Sequence, residues 1–526
     1  MIKDVAVRVN DVALRGATAL WRWGGARWFL PAVLVGYLLS AIFFSVVVFI
    51  PRLDDTVDGV TQIVRMARVP DEFRHIGNIY YYAHLPLSAG PFITDAPLAS
   101  LWLGEIERFP SYLYYYVMSF PLRGLEAIGV GYEATIITLR ILTSLTGLAA
   151  LVLGYRILRL VGSSAIVAGW ATVALALTGR FVWQSAGVSY DTPSMALFLL
   201  FLLAGVHVLQ TASARWYLVF IASAALVSIT KYTFMPFVVF GAVVLTVFVI
   251  VARRRSGDAG FATSWRIGFA RARAGILALS VLAAVSLALF AERIVVNYLR
   301  FGDAEPDCDV INTAAECTTY FDIYRRNTSV RADYLAQIAD GSRGPQQYAP
   351  FSYTGTWADI YYQSTFFYRG AGSGYLTWSV DNWVIVLGSL SLVAAIAFAL
   401  VAARRLLTSP PRVFIAGVSA LYIVGVYVFN LRTYLSVDKY YAHSGRYLLP
   451  IAVFAIAAAL VGMLWAFRRM NRAYRGYVAI AAVLVIVALV LSHNSISSFF
   501  AYADKPSWFS DVSRDLMMRV ATKLHG

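Results

Sequence analysis

A dense polar stretch, Pro70-Asp71-Glu72-Phe73-Arg74-His75, follows the first long apolar segment of the chain. It brings two carboxylates, a guanidinium and an imidazole together in a protein of which only 14% of the residues are charged. A carboxylate placed in this way can act as a general base toward a hydroxyl group. We therefore interpret this stretch as the carrier of a catalytic base.

Simpler interpretations of the same stretch exist. Acidic residues directly after a proline are typical of a helix N-terminus, where they act as caps, and such a role is compatible with catalysis. His75 lies one helical turn from Asp71, so it either hydrogen-bonds that carboxylate or ligates a metal. Because no second histidine or cysteine supports a metal site, we favour the hydrogen bond and predict no metal, although a divalent ion is compatible with the residues.

Basic residues recur at the outer ends of later apolar segments and form a second group: Arg140, Arg180, Lys231, Arg432, Lys439 and Arg446. Arginine binds phosphate through two parallel hydrogen bonds and lysine through a point charge. Acids in one loop and bases at span ends indicate a pocket with two halves, one for a hydroxyl and one for a phosphate. Lys231 could instead extend to the membrane interface, Arg140 could pair with an acid of the outer loop, and Asp191 could be a helix cap or a ligand.

A sugar carried on a lipid phosphate fits both halves of such a pocket. Its leaving group is a phosphate whose developing charge needs cations, and its acceptor hydroxyl needs one base. Direct displacement at the anomeric carbon with a single base inverts that carbon, whereas retention needs a second carboxylate as nucleophile. We therefore expect inversion.

Composition identifies the elements that must position these residues. The 526 residues are 59% hydrophobic, with a mean hydropathy of +0.66 and repeated apolar runs of about 20 residues. We predict an all-α polytopic membrane protein with about 11 transmembrane helices. The net charge of +15 is explained by basic cytoplasmic loops, and no basic patch on a soluble module indicates nucleic-acid binding.

The predicted organisation alternates membrane helices with two long outer loops. Its segments are a cytoplasmic N-terminus (1–27), the first transmembrane helix (28–50), a first extracytoplasmic loop with interfacial helices and the polar stretch (51–133), helices two to seven (134–296), a second extracytoplasmic loop covering the site (297–379), helices eight to eleven (380–492) and an extracytoplasmic tail (493–526).

Charge distribution supports this orientation. With eleven spans, every arginine cluster falls on the cytoplasmic side, as the positive-inside rule requires. Counting Tyr112–Leu122 as a span would invert the later segments, so we predict an interfacial helix there. The two cysteines, Cys308 and Cys317, then lie in the outer loop, where a disulfide between them is favoured over two free thiols.

Four motifs resemble those of GT-C-fold glycosyltransferases, which include protein O-mannosyltransferases, aminoarabinose transferases and a bacterial Pro-Asp-Glu-x-x-His membrane family. The stretch 70–75 is similar to the Asp-Glu-x-x-His motif after the first span, and 107–115 to an interfacial His-Pro-Pro-Leu-Tyr-Tyr segment. Residues 140–145 are similar to the Arg-Leu-x-Ser-Ala-Leu opening of span two, and 445–450 to a late Gly-Arg-Tyr element ending in proline.

The resemblance implies that Asp71 is the base with Glu72 beside it. It also implies that Arg446 and Tyr447 lie near the donor, where Lys231, Arg140 and Arg180 are further phosphate-binding candidates. The chain departs from the family at Phe109-Pro110-Ser111, which lacks the usual histidine. Some related arabinosyltransferases place an acidic pair directly after span one, so Asp54 and Asp55 are the alternative catalytic residues.

We therefore expect a glycosyltransferase of the bacterial plasma membrane that acts on its outer face. It moves a sugar from a polyprenyl-phosphate donor to an extracytoplasmic glycan, lipid or protein acceptor. The alternative is a transporter or flippase of lipid-linked glycans, which would place its ionisable residues at mid-membrane on broken helices. Their position at the outer span ends favours the enzyme.

Overall fold

The computed structural model is described here for residues 2–51, 71–87, 108–256, 273–320, 322–344, 347–366, 407–437, 440, 443–471, 474–479 and 506–525, with isolated residues at 390–404, 481 and 496. Helices make up most of this part of the chain, and the prediction of an all-α membrane protein is confirmed. The count of eleven spans is not established, since the predicted helices at 380–402 and 477–492 lie largely outside the described residues.

Nineteen α-helices are numbered here in chain order. They are α1 (Ile2–Trp23), α2 (Phe29–Val47), α3 (Glu72–His84), α4 (Leu113–Ala127), α5 (Tyr132–Leu160), α6 (Ala165–Ala176), α7 (Gly179–Ser185), α8 (Asp191–Thr211), α9 (Ala214–Thr230), α10 (Met235–Ser256), α11 (Arg273–Phe290), α12 (Val296–Phe301), α13 (Cys308–Ile311), α14 (Ala314–Tyr320), α15 (Asp322–Ala339), α16 (Pro350–Phe366), α17 (Pro410–Val437), α18 (Leu449–Arg469) and α19 (Arg514–His525).

Seven helical segments among the described residues are long and apolar enough to cross a membrane. They are Phe29–Val47, Tyr132–Leu160, Asp191–Thr211, Tyr232–Val251, Ala274–Phe301, Pro410–Val437 and Gly445–Arg469. An eighth is formed if α6 and α7, which meet at an angle of 66°, are taken as one broken span. Helix α9, with 17 residues, is apolar but slightly shorter than these.

Helix α8 lies at the centre of the bundle because its sequence is apolar on every face. Phe198, Leu199, Phe201 and Leu202 are all fully buried. A helix that is hydrophobic all round is stable only when neighbours cover it on every side. Helices α5 and α9 flank it, and α17 packs against the same core.

The two helices before α5 pack on one end of this bundle. Helix α3 packs against α4, and their buried residues Ile76, Ile79 and Leu122 join Ile136 and Leu139 of α5 in one apolar cluster. Helix α4 has 15 residues, about 22 Å at the usual rise, whereas a bilayer core is about 30 Å thick. It is not among the segments that could span the membrane.

A break between α9 and α10 places one charged residue at the same end of the bundle. Lys231 has an extended backbone with φ −149° and ψ 101°, and a short 3₁₀ turn, Tyr232–Phe234, follows it. Pro236 then occupies the first turn of α10, where its missing N–H costs no helical hydrogen bond. The break therefore places Lys231 at the end of the bundle that carries α3.

The C-terminal segment returns to this end of the bundle. The N–H of Ser510 donates to the carbonyl of Val47 (2.9 Å), and the N–H of Phe49 donates to the carbonyl of Trp508 (3.0 Å). Phe509 is fully buried beside these contacts. The end of α2 is therefore held in place from two sides, by the segment 506–513 and by the helices of the bundle.

Several arginines lie at the end of the bundle opposite α3. The ends that meet near α3 are the C-termini of α2 and α9 and the N-termini of α5, α8 and α18. Arg159, Arg254 and Arg468 are placed at the C-termini of α5, α10 and α18, and Arg215 lies near the start of α9, so all four belong to the opposite end.

The second long polar segment contains the two cysteines. Cys308 in α13 and Cys317 in α14 are joined by a disulfide, which confirms the predicted pairing. Both are buried against Tyr324 of α15.

The sidedness of this segment can be measured with single cysteines. In a Cys308→Ala/Cys317→Ala background, we expect Ser329→Cys in α15 to react with a membrane-impermeant maleimide in intact cells. Thr408→Cys, an exposed position before α17 at the opposite end, serves as the matched control and should react only after permeabilisation. The reverse pattern would show that the orientation is inverted.

Candidate active site

Asp71 lies at the start of α3 in a conformation that turns its side chain away from the helix. It is the N-cap residue but has φ 62° and ψ 8°, in the left-handed region, and makes no side-chain capping bond. Aspartate tolerates this region better than most residues, at some energetic cost. Its backbone carbonyl accepts the N–H groups of Arg74 and His75, so the helix still begins regularly.

The carboxylate of Asp71 instead binds two arginines. Its Oδ1 lies 2.8 Å from Nη1 of Arg74, and its Oδ2 lies 2.9 Å from Nη2 of Arg446. Burial by itself would raise the pKa of Asp71, but the charges of Arg446 and Arg74 outweigh it and hold this pKa below its usual value. The carboxylate is therefore ionised at neutral pH.

Arg446 connects Asp71 with a second ion pair. Its Nη1 lies 3.5 Å from Oδ2 of Asp191, whose Oδ1 lies 2.5 Å from Nζ of Lys231. Lys231 also sits 4.7 Å from the ring centre of Tyr447, in a cation–π contact. We call Asp71, Arg74, Asp191, Lys231 and Arg446 the charge cluster; it contains three cations and two carboxylates.

Backbone packing determines where Arg446 lies. It belongs to a 3₁₀ turn, Gly445–Leu448, which leads into α18. The N–H of Gly445 donates to Oγ of Ser364 in α16 (2.6 Å), and a Cβ at Gly445 would collide with Thr365. Only glycine permits this close approach. Nε of Arg180 donates to the carbonyl of Ser364 (2.9 Å), so Arg180 binds the segment that holds the turn.

Glu72 is directed to the opposite side of α3, into the bundle. Its Oε1 and Oε2 lie 2.8 and 2.7 Å from Nε and Nη2 of Arg140, and Oε1 also accepts the N–H of Val188 (2.9 Å). Arg140 further donates to the carbonyls of Val48 and Phe49 at the end of α2, each at 2.8 Å. The Glu72 and Arg140 side chains are 1% and 0% exposed, so this pair is sealed inside the protein.

His75 contacts a tyrosine rather than a carboxylate. Its Nδ1 lies 2.8 Å from the hydroxyl of Tyr115 in α4, and the two rings stack. Burial lowers the pKa of His75 to about 4, against the opposing charges of Asp71 and Asp191. The imidazole is therefore neutral at physiological pH, and its hydrogen bond joins α3 to α4.

A separate polar cluster joins the start of α4 to the end of α11. Arg108 donates to Oε1 of Glu292 (2.6 Å) and to Oδ1 of Asn297 (2.7 Å). Arg293 donates to the carbonyl of Phe109 (2.8 Å) and lies 4.2 Å above the ring of Tyr112. Glu292 and Arg293 lie in a π-helical turn, Ala291–Val295, which widens the helix at this junction.

A narrow cleft opens beside the charge cluster. Asp191, Lys231 and Arg446 line it together with Gln184 and Thr192. Its remaining lining is largely apolar: Phe181, Met195, Phe234, Tyr422, Leu449 and Pro450. A ligand with an anionic head and an apolar tail matches this division.

The structure brings together some predicted residues and separates others. Asp71, Lys231, Arg446 and Tyr447 meet, whereas Arg140 and Glu72 pair deeper in the bundle. Asp54 and Asp55 lie outside the described residues. Among the described residues no group of three or more His, Cys, Asp or Glu side chains could hold a metal.

The sequence did not settle the role of two members of the charge cluster, Arg74 and Asp191. Arg74 was part of the polar stretch but received no role, although its spacing of three residues from Asp71 places both on one helical face. Asp191 was left between a cap and a ligand. Its Oδ1 accepts a hydrogen bond from Lys231 and its Oδ2 has no hydrogen-bond partner within the described part of the chain, and its place at the start of α8 was the available signal.

No protein-family model and no curated protein sequence matches the chain. Among solved structures, the chain is similar to ArnT from Cupriavidus metallidurans bound to undecaprenyl phosphate, at 14% identity and a TM-score of 0.43, covering 95% of this chain and 72% of that chain. It is also similar to the oligosaccharyltransferase of Archaeoglobus fulgidus in the apo form, at 14% identity and a TM-score of 0.42, covering 90% of this chain and 56% of that chain.

A third solved structure shows the same level of similarity. AglB from Archaeoglobus fulgidus in complex with an inhibitory peptide and a dolichol-phosphate has 14% identity and a TM-score of 0.39, with 90% of this chain and 55% of that chain covered. The chain thus spans little more than half the length of the archaeal proteins it matches.

The buried pair of Glu72 and Arg140 generates a stability prediction. Removing one partner leaves the other charge buried and unpaired, which costs about 3–5 kcal/mol. We expect Glu72→Gln or Arg140→Met to lower the unfolding temperature of the detergent-solubilised protein strongly. The double variant Glu72→Met/Arg140→Met should recover part of the loss, because it buries no charge. If the single variants unfold like the wild type, the pair does not support the fold.

Proposed function

We propose that the chain is an integral membrane glycosyltransferase of the GT-C type that transfers a sugar from a polyprenyl-phosphate donor to an acceptor hydroxyl with inversion. The observation that carries the proposal is the position of Arg446. It contacts the accessible carboxylate of Asp71 and also Asp191, which pairs with Lys231, so that a carboxylate and two cations lie side by side at a cleft with apolar lining. The order of the four family-like motifs in the sequence supports the same assignment.

Asp71 is the proposed general base. Its side chain is 33% exposed, whereas those of Asp191 and Glu72 are 9% and 1% exposed. An acceptor hydroxyl can therefore approach Asp71, which is ionised and accepts no hydrogen bond from the N-terminal amides of its own helix. Of these three described carboxylates Asp71 is the accessible one, and a retaining route would need a second carboxylate as nucleophile, so we propose single displacement.

Arg446 and Lys231 are the proposed phosphate ligands. Both lie at the mouth of the cleft, where the phosphate of the donor would replace contacts now made by Asp71 and Asp191. The same cleft is lined by apolar side chains such as Phe234 and Pro450, against which the first isoprene units of the lipid would pack once the cleft has widened. Tyr447, whose ring Lys231 contacts, would flank the phosphate or the sugar.

In the proposed reaction the acceptor oxygen attacks the anomeric carbon from the face opposite the phosphate. The carbon–oxygen bond to the phosphate breaks, and its electron pair stays on the phosphate oxygen. The hydroxyl proton moves to Asp71. The lipid phosphate changes from one negative charge to two, and the cations at its side stabilise the added charge in the transition state.

Three predicted site residues, Glu72, Arg140 and Arg180, take a positioning role in this proposal. Glu72 and Arg140 are positioning residues, since their mutual pairing fixes the start of α3 against α2 and α5. Arg180 acts in the same way on the 3₁₀ turn that carries Arg446. His75, neutral and bonded to Tyr115, supports α3 from the side of α4.

The proposed location is the outer face of a bacterial plasma membrane. The charge cluster lies at the end of the bundle opposite Arg159, Arg254 and Arg468, which the positive-inside rule assigns to the cytoplasm. The acceptor would be an extracytoplasmic glycan, lipid or protein. The segment 297–379, with its disulfide, would cover the site from outside.

Transfer by the purified protein tests this proposal. We expect incorporation of label from polyprenyl-phosphate sugars into membrane acceptors, and a loss of about 10²–10⁴-fold in Asp71→Asn, the usual contribution of a general base. Asp333→Asn, an exposed acid in α15, is the matched control and should behave like the wild type. Full transfer by Asp71→Asn would remove Asp71 as the base. Lipid flipping without transfer from any donor would favour the transporter.

The pH dependence of transfer provides a second test of Asp71. Since Arg446 and Arg74 lower its pKa, the wild type should keep the base ionised well into the acidic range. Arg74→Gln removes one of these cations, so the pKa of Asp71 rises and the acidic limb of kcat/KM moves to higher pH. Asp333→Asn should leave the limb in place. An unchanged limb in Arg74→Gln would show that another group is the base.

A further inference from the structure

The cleft beside the charge cluster contains a polar atom to which the proposed phosphate contacts give no role. Gln184 lies near the end of α7, lines the cleft and is only 2% exposed. Its Nε2 donates to Oγ of Ser189 (3.0 Å), but its Oε1 has no hydrogen-bond partner in the part of the chain that the structure describes. Buried polar atoms of folded proteins are nearly always paired, so an unpaired acceptor at a ligand site indicates a contact that the ligand completes.

The fold holds Gln184 next to the charge cluster. Its side chain is anchored to Ser189, and Oγ of Ser189 also accepts the N–H of Asp191 (3.2 Å). Oγ1 of Thr192 donates to the backbone carbonyl of Gln184 (3.4 Å), which ties the end of α7 to the first turn of α8. The amide of Gln184 therefore lies beside the start of α8, where Asp191 contacts the two cations that would hold a phosphate.

Two further polar atoms of the cleft lack a hydrogen bond to any described residue. They are Nε of Arg446, a donor, and Oδ2 of Asp191, an acceptor that lies 3.5 Å from Nη1 of the same arginine. A phosphate would satisfy the donor, because its oxygens accept hydrogen bonds. It cannot satisfy Oε1 of Gln184 or Oδ2 of Asp191, since these atoms are themselves acceptors. A ligand that completes the cleft therefore carries a hydrogen-bond donor close to its phosphate.

In a sugar linked through its anomeric carbon to a phosphate, the nearest such donor is on C2. The hydroxyl of C2 is separated from the oxygen of the phosphate linkage by only two carbons. The ring oxygen on the other side of C1 carries no hydrogen, and the remaining hydroxyls lie farther along the ring. A hydroxyl can donate one hydrogen bond to an amide oxygen, so its chemistry matches Gln184.

We propose that Gln184 is a specificity-determining residue that accepts a hydrogen bond from the C2 hydroxyl of the donor sugar. This inference rests on the proposed function, because it assumes that Lys231 and Arg446 bind the donor phosphate. It assigns the substrate class as sugars with a hydrogen-bond donor on C2, as opposed to 2-deoxy sugars. With both the phosphate and C2 held, the sugar cannot turn freely about its bond to the phosphate, which favours attack at C1 from one direction.

The selectivity arises when the cleft is filled. In the empty cleft, water can pair with the oxygen of Gln184. A ligand without the hydroxyl displaces that water and leaves the acceptor buried without a partner, which costs more than an uncharged hydrogen bond contributes. The loss of affinity therefore falls on the ligand that lacks the donor.

A pair of small phosphodiesters tests the inference without knowledge of the sugar. Farnesyl 2-hydroxyethyl phosphate reproduces the chain from the phosphate through C1 to the C2 hydroxyl, and farnesyl ethyl phosphate lacks only that hydroxyl. Both carry one negative charge, so they are attracted equally to the cations of the site. With the wild-type protein in detergent, we expect the hydroxyethyl diester to bind about three- to tenfold more tightly.

Gln184→Met should remove this preference. Methionine keeps the length of the side chain but has no amide oxygen, so the two diesters should bind with nearly equal affinity. Gln210→Met is the matched control, because Gln210 is an exposed residue at the opposite end of α8 that donates to the carbonyl of Leu160. It should keep the preference of the wild type. Both probes are compared within each variant, so a general loss of stability does not imitate the expected result.

The outcomes separate this inference from the proposed function. If neither diester binds the wild type, the phosphate site is wrong and both proposals fall. If the wild type binds the two diesters equally, the C2 contact is overturned while the phosphate site stands. That comparison uses the wild-type protein alone, so it remains decisive even if Gln184→Met does not fold. If Gln184→Met folds and keeps the full preference, another group accepts the hydroxyl and the assignment to Gln184 is overturned.

Discussion

The buried ion pair of Glu72 and Arg140 is the interaction on which the geometry of the site depends. It joins α3 to α5 and, through the carbonyls of Val48 and Phe49, to the end of α2. Such a pair contributes little net stability compared with apolar packing. Separating its two partners, however, is strongly unfavourable, because it leaves each charge buried without compensation. It therefore fixes the start of α3, and with it the direction in which Asp71 can point.

The same physics explains why the functional charges form a cluster. When a charged side chain is buried at the end of an apolar bundle without a partner, the loss of its hydration is not offset by any favourable contact. Asp71, Asp191, Lys231 and Arg446 offset this loss for one another through shared contacts in a partly buried place. A ligand phosphate can replace these internal contacts at a modest cost, because the cations have already lost most of their water.

The sequence predicted the membrane helices better than it predicted which charged side chains contact one another. Apolar runs of bilayer length identified the helices, and the polar stretch at 70–75 and Arg446 were singled out by their unusual chemistry. For Arg140 the sequence left two roles open, a phosphate ligand and a partner of an acid in the outer loop, because it does not show which carboxylate meets it; in the structure Glu72, 68 residues away, binds it. Asp191 was ambiguous for the same reason, since Lys231 and Arg446 meet it only after the chain has folded.

The two adjacent acids of the motif, Asp71 and Glu72, thus point in opposite directions, and the backbone conformation determines the direction of each. Because Asp71 adopts a left-handed conformation, its carboxylate points out of α3 toward Arg446, while Glu72 is the first residue of the helix and points into the bundle. Had Asp71 taken the usual extended N-cap conformation, its oxygens would accept the amide hydrogens of α3 and would be poor proton acceptors. The strained backbone at Asp71 is therefore what separates the proposed base from the buried structural acid beside it.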